Sequence, residues 1–310
     1  MSTTNPPGQD LDSLLASALE PLTKPPSTTA TLNNTFTTAV QKFNNLAKQQ
    51  HEQNKPGEIL EGFLWSAWHA VFDAAGKTPV DQQEGLVQFL LELKKHDATV
   101  TTKDSGGKEA EVVLDSGHNS KLWKDLPIFG WVARERWNSV SAFAPDSKIG
   151  RAEQDGLVGL LARLTGEVAK DINLEKTTGY THGDFSLYGL WSLREVFEAS
   201  EEGEGSIYIA ADGGLVQGAD AQLASRGVNQ ASFWIIFAGE YLWRLSQANK
   251  ELDDRTGVPG KHFAERKWTG FNKERWAVWK RGFEKAQDWV VGEEAKEGVK
   301  AAVEVMAKLE

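Results

Sequence analysis

DAQLASRGVNQASFWIIFAGEYLWRLSQANK, residues 220–250, is the stretch on which the reading of the chain turns. At about 1.5 Å per residue, a helix of this length crosses a small domain. Its middle, Ala231 to Gly239, holds a single hydroxyl, and Phe233, Trp234, Ile235, Ile236 and Phe237 point in every direction around a helix. A helix apolar on all sides has to be covered on all sides. With about 3.6 residues per turn, Arg226, Asn229, Glu240, Arg244 and Gln247 fall on one stripe, broken by Phe233 and Ile236. Two readings compete for that stripe. One is a solvent face whose gap a neighbouring helix covers; the other is the wall of an apolar pocket carrying Asn229 and Glu240.

Working outward, helical spacing recurs along most of the chain. Phe36, Val40, Phe43 and Leu46 mark one helix, and the strongly apolar run from Glu58 to Ala75 marks a second. In that second helix Trp65, Trp68 and Phe72 share a stripe, while His69 and Asp73 form an i,i+4 pair, read as a hydrogen-bonded pair or as two metal ligands. Thr78-Pro79 reads as the N-cap and first residue of the next helix, whose buried face is Leu86, Phe89, Leu90 and Leu93. Further helices are expected after Gly130, from Glu153 to Lys170, and from a Thr181 cap onward. Towards the end, Asn272 is expected to cap a helix with Phe271 stapled on Trp276, and a charged amphipathic helix closes the chain. The polar 96–120 segment is either a small hairpin around Ser105-Gly106-Gly107 or a long surface loop. About ten helices without a run of strands predict an all-α fold: residues 1–30 a flexible arm, and residues 31–310 a single bundle around the 220–250 helix.

Composition removes several functions. With no cysteine there is no disulfide, thiolate metal site or cysteine nucleophile. No window of about eighteen apolar residues is present, so no membrane span is expected. The first residues lack a signal-peptide pattern, which places the chain in the cytoplasm as an expectation. A formal charge of −10 disfavours non-specific nucleic-acid binding. Phosphate-cradling glycine motifs, a GxSxG elbow and HExxH are all missing. One segment departs from the acidic balance. Residues 261–285 carry eight Lys and Arg against three Glu, interleaved with Trp268, Phe271, Trp276, Trp279 and Phe283. Such interleaving suits single-stranded nucleic acid, a buried anion, or an ordinary helix whose basic side chains cover apolar neighbours.

Four segments, LWKDLPIFGWVARERWN, LLARLTGE, LWSLREVFE and GFNKERWAVWKRGFEK, taken in order, resemble a fungal family of largely uncharacterised all-helical proteins. The resemblance covers roughly residues 60–287. The group is in turn similar to the atypical humulene-synthase-type sesquiterpene cyclases. That similarity implies a lyase of secondary metabolism that ionises farnesyl diphosphate with Mg2+ and closes a ring. Divalent cations held by hard oxygen ligands would take up the leaving-group charge, arginines would clamp the diphosphate, and aromatic faces would steady the carbocation. The chain lacks a DDxxD helix: Asp253-Asp254 has no third acid, and Asn229, Ser232 and Glu240 share a face at the wrong spacing.

On this reading the metal-ligand candidates are Glu135, Asn138, Glu195, Asn229 and Glu240. Glu195 and Glu240 are the catalytic candidates, Arg134, Arg194 and Arg226 would hold the diphosphate, and Trp65, Trp68, Trp191 and Trp234 would line the cavity. The rival is a non-enzymatic all-α interaction protein whose tryptophans only pack. A single-stranded nucleic-acid binder using residues 261–285 ranks third.

Overall fold

A computed structural model describes residues 10–25, 29–53, 58–96, 101–103, 109–111, 113–114, 120–139, 150–176, 181–198, 208–253 and 255–310. Among them are ten helices and four very short strands, so the fold is all-α. The chain divides into two compact units, and the division falls inside one helix, after Leu160.

The first unit holds α1 (Leu11–Leu19), α2 (Thr29–Gln53), α3 (Glu58–Gly76), α4 (Glu84–Lys95), α5 (Phe129–Asn138) and the first half of α6 (Arg151–Ala169). Residues Leu11–Leu19 of the expected arm are helical. Asp10 caps α1 by accepting from Ser13 N at 2.8 Å, and Leu15, Leu19 and Leu22 are buried against the unit's other helices. Residues 1–9 and 26–28 of that arm lie outside the described residues. Thr78 does not cap α4: its hydroxyl donates back to Ala74 O at 2.7 Å, and a short 3-10 turn precedes the helix. The buried Gln83 amide holds this corner by donating to Ala75 O and Gly156 O at 3.1 and 2.8 Å. Within the 96–120 segment, β1 (Thr101–Lys103) pairs antiparallel with β2 (Glu109–Glu111), and β3 (Val113–Leu114) with β4 (Ser120–Lys121). The hairpin reading holds, with its turn outside the described residues.

The second unit comprises the rest of α6, α7 (Ser186–Phe197), α8 (Ala221–Gln247), α9 (Lys273–Ala286) and α10 (Glu293–Leu309). The helix picked out by the 220–250 stretch is α8. Asp220 caps it by accepting from Gln222 N and Leu223 N, and it packs against α7, α9 and α10. Phe233, Trp234 and Ile235 are buried, as a helix apolar on all sides requires. Two glycines allow the close approaches. Any Cβ at Gly189 of α7 would lie 2.9 Å from the Trp234 ring, and one at Gly298 of α10 would lie 2.7 Å from Asn229 Oδ1 and from Ser232 Oγ. Asn272 caps α9 by accepting from Arg275 N at 2.8 Å. Phe271 meets Trp279 edge-on at 6.2 Å, one turn beyond the expected staple partner Trp276. No described helix is long and apolar enough to cross a membrane.

Candidate functional site

At the centre of the second unit lies a carboxylate–guanidinium pair with both side chains fully buried, Glu198 just past α7 and Arg275 in the first turns of α9. Arg275 Nε donates to Glu198 Oε1 at 2.6 Å and Nη2 donates to Oε2 at 2.9 Å, a bidentate fork. The remaining guanidinium donors reach the loop between α8 and α9. Nη1 donates to Gly257 O and Gly270 O at 2.8 and 2.9 Å, and Nη2 to Val258 O at 3.0 Å. Glu198 also accepts from Trp279 Nε1 at 2.8 Å and from Gly260 N at 2.9 Å. A buried charge is tolerable only when paired and fully hydrogen-bonded; here the two groups satisfy each other, and Arg275 satisfies three loop carbonyls besides. The network pins the 251–270 loop onto α7 and α9. Chemically it is closed, with no donor turned towards solvent.

Beside it lies an open cleft of about 440 Å³, lined by Asn249, Lys250 and Glu251 on one side and residues 267–274 on the other. Lys250, Lys267 and Lys273 stand around it. Glu274, on the same wall, is engaged by Arg266 at 2.8 Å and by Trp268 Nε1 at 3.0 Å.

The candidate residues read from the sequence divide between the two units. On α5, Arg134, Glu135 and Asn138 are exposed and share a stripe with Trp131, which is 51% exposed. The His69–Asp73 pair of α3 is bridged by Arg136, whose Nε donates to His69 Nδ1 at 3.2 Å and whose Nη2 donates to Asp73 Oδ1 at 2.5 Å. Burial and the Arg136 charge hold the His69 pKa below its usual value. In the second unit, Arg194 Nη1 donates to Val258 O at 3.2 Å and more weakly to Thr256 O at 3.4 Å. Arg226 is half-buried on α8. Glu195 is also half-buried, and burial pushes its carboxyl up to about 7 against the opposing charge of Arg194. Asn229 is buried against Gly298 of α10, its amide without a hydrogen-bond partner, whereas Glu240 is exposed.

Two of the ligand candidates do not fit a shared magnesium ion. Asn229 and Glu240 stand eleven residues apart on α8, about 16 Å along the axis, too far to ligate one ion at 2.0–2.6 Å. Among the described residues no three His, Asp or Glu side chains gather closely enough to hold a metal.

The four tryptophans proposed as cavity walls have close neighbours. Trp68 donates to Pro127 O at 2.7 Å and meets Trp123 and Phe129 edge-on at 6.0 and 5.2 Å. Trp65 stacks on His69, Trp191 lies on Tyr188 and donates to Thr256 O at 3.1 Å, and Trp234 fills the space over Gly189. In the basic segment, Trp268, Phe271, Trp276, Trp279 and Phe283 are all buried, which leaves no open ring face for a stacked base. The sequence reading used LWSLREVFE and GFNKERWAVWKRGFEK for the family resemblance, yet did not single out Glu198 or Arg275, the two halves of the ion pair. The signal was local and faint: Glu198 follows the apolar Val196-Phe197 pair that ends α7, and Arg275 directly precedes a buried tryptophan.

These features define an all-α protein whose second unit is fastened by an internal ion pair and carries a lysine-rimmed cleft on its surface. Residues 68–283 match the family described as "Protein of unknown function (DUF3632)", and the chain belongs to that family. No curated protein and no solved structure matches it.

Proposed function

We propose that this DUF3632 chain acts without catalysis, as an all-α interaction protein. The observation that supports the reading is the engagement of Trp65, Trp68, Trp191 and Trp234 in ring contacts and hydrogen bonds with their own neighbours. A cyclase needs aromatic faces left open to a migrating carbocation and several oxygen ligands around one point. An interaction protein needs neither, and the α5 stripe of Trp131 with Arg134 offers residue types that anchor protein interfaces. The cyclase expectation drawn from the sequence makes farnesyl diphosphate the substrate to try. Incubating the full chain with farnesyl diphosphate and Mg2+, then analysing volatile hydrocarbons, should give no cyclic product above a protein-free control. A cyclic sesquiterpene formed in proportion to protein would overturn the reading.

A further inference from the structure

We propose that the cleft between residues 249–251 and 267–274 binds a small-molecule phosphate ester, its phosphate held by Lys250, Lys267 and Lys273. The volume of about 440 Å³ lies within the range of small-ligand sites. The three lysines are exposed, and none has an ion-pair partner among the described residues. In a chain with a formal charge of −10, three unpaired cations around one concavity stand against the prevailing field, and they draw anions to this spot. Of the two acids in the lining, Glu274 is already occupied by Arg266 and by the Trp268 indole, which leaves Glu251 as the single opposing charge.

The walls narrow the ligand further. Phe263 stacks on Trp268 at 5.3 Å, and the Arg275 guanidinium carbon lies 5.6 Å from the same ring. The indole is thus engaged, and Phe271 is buried against Trp279. A flat aromatic group finds no stacking face here. The polar remainder of the wall, Asn249, Thr269 and Asn272, suits hydroxyls. The geometry points to a sugar-phosphate type of ligand, with one phosphate and a hydroxylated body. This inference is independent of whether the chain is catalytic, because the cleft contains none of the cyclase candidates.

Isothermal titration of the full chain with glucose 6-phosphate at low ionic strength tests it, with glucose and inorganic phosphate as companion probes. The expected result is saturable binding of the sugar phosphate, at least tenfold tighter than inorganic phosphate, no binding of glucose, and weakening with added salt. Lys250→Ala, Lys267→Ala and Lys273→Ala combined should weaken it at least tenfold, while the exposed-lysine set Lys296→Ala, Lys300→Ala and Lys308→Ala, with the same change in net charge, should leave it within twofold. Glu251→Gln should tighten it several-fold. Equal binding by both triple variants, binding of inorganic phosphate as tight as the ester, or no saturable binding at millimolar ligand would each overturn the proposal.

Discussion

Glu195 of α7 is a carboxyl whose surroundings change its chemistry. Its carboxyl sits half-buried on α7, and burial raises its pKa from 4.5 to about 7. The native state therefore keeps a proton that the unfolded chain has already released, between about pH 4.5 and 7. Stability from this group is fully present below the unfolded value and is lost as pH rises through the folded one. Replacing the side chain by its neutral isostere, Glu195→Gln, should leave the melting temperature unchanged near pH 4. At pH 8 the variant should be the more stable, by on the order of 1–2 kcal/mol once partial solvent access is allowed for. Paired thermal melts across that range check the expectation; parallel curves at all pH values would refute it. The sequence showed Glu195 beside Arg194 and made it a ligand candidate. It did not reveal that Arg194 turns to the Thr256 and Val258 carbonyls, because those partners lie some sixty residues away.

At the level of elements, the reading of α8 was the most legible part of the chain. A run such as FWIIF has no polar side to give to water, so burial was dictated before any neighbour was known. What could not be read was which residue closes against it. Asn229 was weighed as a pocket wall or as part of a solvent face, and its burial rules out the solvent face. It packs at the bare backbone of Gly298 on α10, a contact that depends on a glycine almost seventy positions later. Gly298→Ala should push α10 away from α8, because the new methyl would meet Asn229 Oδ1 and Ser232 Oγ at 2.7 Å. The expected loss is about 1–3 kcal/mol, read from urea unfolding. A midpoint unchanged from the parent would show that the two helices have slack.

Local signals fared unevenly across the other elements. Asn272 and Asp220 cap the helices they precede, since an Asn or Asp side chain needs only its own neighbours to do so. Thr78 followed by proline carried the same signal and failed. The chain there is already bound into the end of α3 through Thr78 Oγ1 to Ala74 O, and tertiary packing moved the helix start to Glu84.

For the whole molecule, the physical picture is of an acidic all-α chain whose rare residues hold its own interior together. The family-like segments LWSLREVFE and GFNKERWAVWKRGFEK were visible as patterns, and the structure gives their reason: Glu198 and Arg275 meet across 77 positions and fasten the loop that separates α8 from α9. Removing one partner strands a buried charge, whereas removing both still leaves the Gly257, Val258 and Gly270 carbonyls, the Gly260 amide and the Trp279 indole without their partners. The pair is therefore a fastening that apolar substitution cannot reproduce, unlike an isolated buried ion pair.

A double-mutant cycle of Glu198→Gln and Arg275→Met, followed by chemical denaturation of the full chain, addresses this most directly. Each single change should destabilise by about 3–5 kcal/mol. The double variant should remain well below the parent while losing markedly less than the sum. Single variants as stable as the parent, or fully additive losses, would contradict the claim that this buried pair organises the second unit.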